Sequence, residues 1–375
     1  MTPVKALEFY CGIGGLRLAL SRSSINAEVV QAFDWDQTAC QVYKANHNDV
    51  VRKVDISTLT ATDLSSLNAD LWLLSPACQP YTILNPKAKG ASDPRAQSFL
   101  HLIEDVLPEM ALCQTHPSHL LVENVAGFET SSTRQILIST LRSIGYTTLE
   151  LLLTPLQFCI PNSRLRYYML AKRAPLHFLH VPSNKLEEVW RQIPGQESVW
   201  SDPRLQEHAG AHPLPHNNVH KIRDYLDDSS KGNAQEFAIP DKVLEKWGRL
   251  FDIVTPSSQR TCCFTRGYTQ LVERTGSVLQ ENEMLDTTST FDKFLEARSK
   301  GNLNSVEILH PLVLRYFSPP ELLRIFAFNP PGALSQDPVF VWPEGISTKS
   351  KYRLIGNSVN VKVVQELIKY LFCEG

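Results

Sequence analysis

The sequence predicts an α/β protein: a doubly wound sheet followed by a smaller, irregular second domain. Three observations carry this. Short apolar runs alternate with amphipathic stretches from residue 4 to 173. The pattern then loosens from about residue 180, where Pro, His, Asn and Ser become frequent, as in HPLPHNNVH at 212–220. Finally, each chemically distinctive cluster of the first half follows an apolar run directly. In a doubly wound sheet that position is the carboxyl end of a strand, where such folds bind ligands.

Taken in order, VKALEFY (4–10), AEVVQAF (27–33), ADLWLLS (69–75), HLLVEN (119–124), TTLELLL (147–153) and RLRYYMLA (164–171) read as buried strands, with a short one ending at Asp55-Ile56. Helical spacing of apolar residues marks 37–47, 98–113 and 132–145, the last closed by Gly145. Residues 181–308, including the polar run QENEMLDTTSTFDKF, read as the second domain. Helical periodicity returns in SPPELLRIFAF (318–328) and VNVKVVQELIKYLF (359–372). The segment 309–375 is therefore expected to pack back on 1–180 and complete the first domain.

Composition narrows the function classes. A hydrophobic content of 43% with 20% charged residues is that of an ordinary globular chain. No apolar run approaches the roughly 18 residues of a membrane helix, and the first residues do not form a secretory signal. The eight cysteines include no CxxC pair and no metal-type Cys/His spacing, so no metal site and no disulfide framework are expected. That fits a cytosolic or nuclear protein. A net charge of -2 lacks the basic surplus common in polyanion binders, but charge on one face is what such binding needs.

The chemistry-bearing residues follow the strands. Tyr10-Cys11-Gly12-Ile13-Gly14-Gly15 ends the first strand, and a glycine turn there lets a ligand approach the backbone closely. Asp34-Trp35-Asp36 ends the second, about 20 residues on, where an acid reaches ribose hydroxyls. Asp55-Ile56 ends the third and can read an adenine edge. These three favour an adenosine-containing cofactor and leave NAD and S-adenosylmethionine both open. The fourth strand runs into Ser75-Pro76-Ala77-Cys78-Gln79-Pro80, a cysteine on a proline-flanked loop. Cys40, Cys113 and Cys159 read instead as buried small hydrophobes. Glu123 ends an apolar strand, an expensive place for a carboxylate. Arg164 and Arg166, two apart, share one face of the next strand.

In this order FYCGIGG, DWD, DI, SPACQP, ENV, NSRLR and GNSV (356–359) resemble the motifs of the cytosine-C5 methyltransferase family. CFTRGY (263–268) resembles the signature of its Dnmt2 branch. The resemblance implies a Rossmann-like class I methyltransferase fold on a doubly wound mixed sheet, with a small target-recognition domain. It implies transfer of a methyl group from S-adenosylmethionine to carbon 5 of a cytosine in the anticodon loop of tRNA, aspartate tRNA in that branch, by a monomer. Cys78 would be the nucleophile, Glu123 the group at N3, and Arg164 and Arg166 the groups beside the base. The cofactor would lie against Tyr10, Gly12, Ile13, Gly14, Gly15, Asp34, Trp35, Asp55, Ile56, Ser75, Asn357, Ser358 and Val359. Arg266 and Tyr268 are candidate RNA contacts, with Lys87, Lys89, Arg95, Lys221 and Arg223 the further basic residues near the cleft. Rival readings are the same chemistry on DNA and a non-catalytic RNA-binding relative. One departure stands out: Ala77 occupies the place where the family has proline, which should loosen the loop.

Overall fold

The computed structural model describes residues 2–47, 49–81, 89–196, 219–227, 233–332 and 339–373. Eight strands form one sheet: β1 (Val4–Phe9), β2 (Ala27–Asp34), β3 (Val51–Lys53), β4 (Leu71–Leu74), β5 (His119–Val125), β6 (Tyr146–Leu153), β7 (Arg166–Arg173) and β8 (Val189–Trp190). Their spatial order is β3-β2-β1-β4-β5-β7-β6-β8. The five strands from β3 to β5 run parallel. β7 lies antiparallel between β5 and β6, which makes the sheet mixed.

Continuous apolar strands are needed because both faces are covered. Alternate residues of β4 show it. Leu71 and Leu73 enter one core, Trp72 and Leu74 the other, and all four are fully buried. The first core holds helices Gly15–Ser21 and Val361–Leu371, the second the helical stretch 97–112. Helix Val361–Leu371 packs against Gly15–Ser21, with Asn360 accepting from the N–H groups of Lys362 and Val363 at its start. The stretch 97–112 widens into a π-helical turn at His101–Val106. Pro108 follows that turn, and its ring cannot accept the spacing of a regular α-helix at this point.

A second, three-stranded sheet is formed by β9 (Asp252–Val254), β10 (Ser277–Gln280) and β11 (Leu314–Arg315). A third core beside it holds Ile239, Leu244, Phe291, Phe294, Leu309, Leu312 and Leu314. The polar run expected to be irregular contains a helix, Thr287–Ser299. Asp286 caps it by accepting from Ser289 N at 2.7 Å, and only Thr290, Phe291 and Phe294 are buried. That apolar face was too narrow to show as a stripe. Residues 212–218 of the run HPLPHNNVH lie outside the described residues.

Candidate active site

Strand register assembles the site. Phe9 lies level with Leu74, and Leu74 with Val122, so Tyr10, Ser75 and Glu123 emerge side by side at the carboxyl ends of β1, β4 and β5. Ser75 Oγ donates to Glu123 Oε2 at 2.8 Å. Across the β5–β7 ladder Val125 pairs with Arg166 and Glu123 with Tyr168. Glu123 and Arg166 are therefore diagonal neighbours on one face, within reach of long side chains. Arg166 Nε stands 3.5 Å from Glu123 Oε1.

Cys78 lies beyond β4 in the same cleft as Glu123, Arg164 and Arg166. Burial pushes its thiol up, the Arg166 guanidinium pulls it back, and the Glu123 carboxylate pushes it up again. The loop is held at two points despite Ala77. Asn124 Nδ2 donates to Pro76 O at 3.2 Å, and Tyr81 N to Cys78 O at 3.0 Å. Asn124 thus supplies part of the restraint that a proline at 77 would give.

The two arginines differ in what they hold. Arg164, only 3% exposed, donates to Phe264 O at 2.7 Å, Ser358 O at 2.7 Å and Gly356 O at 3.1 Å. Its guanidinium sits 4.9 Å from the Phe326 ring centre. Both arginines reach the Cys263 sulfur, at 3.4 Å from Arg164 and 3.5 Å from Arg166. Burial alone would raise the Cys263 thiol, but the two cations outweigh it and hold the thiol below its ordinary range. Arg164 therefore clamps three distant chain segments against the site, and Arg166 is the arginine beside Glu123.

The cleft continues past Ser75 to the first three strand ends, with a volume of about 630 Å³, within the range of small-molecule sites. Gly12 and Asp36 both donate backbone N–H groups to the Asp34 carboxylate, each at 2.8 Å. Burial nevertheless keeps the Asp34 carboxyl above its usual range. Gly12 has φ +54 and nothing within 4 Å of the place a Cβ would take, so the turn opens on free space. Gly15 packs under Val359, where a Cβ would stand 2.8 Å from its Cγ2. Trp35 is 68% exposed, its ring centre 5.7 Å from the Lys53 ammonium, so it stands free of the core as a stacking surface. Asp55 caps the turn Ile56–Thr58 beside buried Ile56. These features fit an adenosyl group lying along the strand ends.

Of the residues expected at the cofactor, Tyr10, Gly12, Gly15, Asp34, Trp35, Asp55, Ile56, Ser75, Asn357, Ser358 and Val359 line this one cleft. Ile13 is buried under the turn. Gly14, at φ +85, faces His47, whose Nε2 would lie 2.2 Å from a Cβ. Two expectations are corrected. Tyr268 is 2% exposed, its hydroxyl donating to Ser277 O and accepting from Phe317 N, so no base can stack on it. Cys113 is exposed at the end of its helix, not buried. Arg266 is exposed, and its charge acts on Cys78. Arg223 pairs with Glu283 at 3.3 Å, Lys221 is exposed, and Lys87 lies outside the described residues. Helix Thr348–Gly356, absent from the sequence reading, brings Arg353 into an ion pair with Asp36. Its local signals are the Ser347 cap and a short apolar face of Tyr352, Leu354 and Ile355.

Known proteins resemble this chain over nearly its whole length. The family model for C-5 cytosine-specific DNA methylase matches residues 4–373. A tRNA (cytosine(38)-C(5))-methyltransferase of Schizosaccharomyces pombe is 38% identical over 98% of this chain and 96% of the relative. One of Homo sapiens is 36% identical over 99% of this chain and the whole of the relative. The crystal structure of a Spodoptera frugiperda DNMT2 mutant superposes with a TM-score of 0.77 at 34% identity, covering 99% of this chain and all of that one. The chain belongs to the C-5 cytosine-specific methylase family and, within it, to the Dnmt2 methyltransferases.

Proposed function

We propose that this enzyme transfers a methyl group from S-adenosylmethionine to carbon 5 of a cytosine in the anticodon loop of tRNA, aspartate tRNA by resemblance, through a Cys78–C6 bond. The observation that carries this is the meeting of the Cys78 thiol, the Glu123 carboxylate and the Arg166 guanidinium in a cleft continuous with the cofactor-shaped strand ends. That relatives matching nearly the whole chain are named tRNA (cytosine(38)-C(5))-methyltransferases supports an RNA substrate. Eight free cysteines suit a reducing compartment, the cytosol or nucleus. Among the described residues no helix is long and apolar enough to cross a membrane. The enzyme is proposed to act as a monomer.

The cytosine ring must lose its aromatic conjugation before C5 can act as a nucleophile. The Cys78 thiolate adds to C6, and the electron pair of the C5–C6 double bond moves toward C5. Glu123, fixed by Ser75 and Arg166, stabilises the ring by hydrogen bonding or proton transfer at N3. Arg166 places a preorganised cation beside the base carbonyl. Arg164 keeps the Phe264 and Ser358 backbones in place around these groups. Tyr10, Asp34, Trp35, Asp55 and Ile56 would hold the adenosyl part of S-adenosylmethionine, and the Gly12–Gly15 turn with Asn357–Val359 its methionine end. When bound, the cofactor supplies an electrophilic methyl group to C5. Loss of the C5 proton then re-forms the double bond and expels Cys78. A loop cytosine suits this route, since extrusion from a duplex stack costs a few kcal/mol more.

Bisulfite sequencing of tRNA and of duplex DNA after reaction tests the proposal. Wild type should methylate one anticodon-loop cytosine of aspartate tRNA, and Cys78→Ala none. Methylation confined to DNA would sink the RNA assignment, and unchanged tRNA methylation by Cys78→Ala would sink the mechanism.

A further inference from the structure

Arg95 is a charged group of the cleft that the chemistry above does not use. It lines the same cleft as Cys78. Its guanidinium is gripped by Asp93, with Nε donating to Oδ1 at 2.8 Å and an Nη to Oδ2 at 2.7 Å. Asp93 Oδ1 also accepts from Arg95 N at 3.0 Å. The Asp93 side chain is 5% exposed and the Arg95 side chain 48%, so a buried anchor holds a guanidinium that faces solvent. The segment is tied to the nucleophile loop by Gly90 N donating to Pro80 O at 3.3 Å, and to its own turn by Asp93 N donating to Gly90 O at 3.1 Å.

A guanidinium has five N–H donors in a fixed fork. Asp93 takes two of them, and the other three have no partner among the described residues. The charges acting most on Cys78 are those of Arg166, Glu123, Arg164 and Arg266, and Arg95 adds a weaker attraction to the thiolate. The polar edge of the base is already matched by Glu123 at N3 and Arg166 at the carbonyl. What a nucleotide entering this cleft still presents is its phosphate, which a planar, pre-oriented fork binds with two parallel hydrogen bonds. We propose that Arg95, oriented by Asp93, binds a phosphate flanking the target cytosine and so holds that nucleotide over Cys78. This deepens the reading of the chain as an RNA methyltransferase and rests on it.

A binding cycle tests it without turnover. Full-length protein with S-adenosylhomocysteine is titrated with an anticodon stem-loop RNA carrying either native phosphates or one neutral methylphosphonate on either side of the target cytosine. For wild type, one of the two substitutions should weaken binding about tenfold or more, the loss of a charge-assisted hydrogen bond. Arg95→Gln should lose a similar factor with native RNA and almost nothing further with the methylphosphonate. Equal losses in wild type and variant, or no loss in wild type at either phosphate, overturn the proposal. Arg95→Lys keeps the charge without the fork and should fall between the two; it carries the same cycle if the Gln variant unfolds. Affinity for S-adenosylhomocysteine should be unchanged in both variants. RNA binding and methylation by wild type with an additive cycle would overturn the phosphate role alone. Absence of RNA binding by wild type would overturn both readings.

Discussion

Cys78 is under opposing electrostatic control, and that control can be read without turnover. The Arg166 cation favours the thiolate, while burial and the Glu123 carboxylate oppose it. Removing each neighbour should therefore shift thiol reactivity in opposite directions. Arg166→Gln should slow iodoacetamide alkylation of Cys78 at pH 8, and Glu123→Gln should speed it, each by severalfold. Mass spectrometry of the Cys78 peptide separates this signal from exposed Cys113 and Cys373. Both variants should nevertheless lose methyl transfer, Glu123→Gln by about a hundredfold or more, because the group at N3 is gone. A faster thiol on a slower enzyme would place Glu123 on the base and not on the nucleophile. Equal alkylation of all three proteins would remove Arg166 and Glu123 as modulators of Cys78.

At the scale of elements, the site depends on backbones brought close by the absence of a side chain. Gly356 ends helix Thr348–Gly356, and a Cβ there would stand 2.3 Å from Thr265 C and 2.5 Å from Arg266 N. Backbone atoms cannot move aside as a flexible side chain can, so Gly356→Ala should separate the CFT element from the segment Asn357–Val359. Overpacking of this kind costs typically 1–3 kcal/mol, read as a lower urea midpoint, together with weaker binding of S-adenosylhomocysteine. Normal cofactor binding with normal stability would show that the contact is dispensable. The same junction marks how far the sequence could be read. Strands and their order of motifs were legible because apolar runs such as LWLL and HLLV are local signals, and Cys78 and Glu123 follow them directly. The different duties of Arg164 and Arg166 were not legible, because Arg164 is matched to carbonyls about 100 and 190 residues away. Tyr268 looked like a base-stacking residue beside Arg266, yet long-range packing against Tyr316 and Tyr352 buries it. Helix Thr287–Ser299 was hidden by its polar surface.

Across the whole molecule, segments far apart in the chain are joined by polar contacts as well as by the core. Arg22 donates to Ala327 O and Phe328 O, Arg353 pairs with Asp36, and His119 stacks on Phe372 at 4.3 Å. Buried ionisable groups in this body give its stability a pH dependence of mixed sign. Burial lowers His47 and His119 to about 4, so between that pH and about 6.5 the unfolded chain binds more protons and stability rises with pH. Glu8 acts in the opposite direction. It is fully buried under the glycine turn, accepts from Tyr43 OH at 2.7 Å and Arg17 N at 3.3 Å, and burial raises it to about 7. Between 4.5 and 7 the native state keeps this proton while the unfolded chain releases it. Stability from Glu8 is therefore complete at acid pH and lost as pH rises, by about 3 kcal/mol in all. Glu8→Gln removes that loss and leaves the histidines in place. The difference in unfolding free energy, variant minus wild type, should climb by about 3 kcal/mol from pH 4.5 to 7.5 in urea titrations. A difference that stays flat over this range would mean that Glu8 is ionised in the native protein, its charge carried by Tyr43 and Arg17.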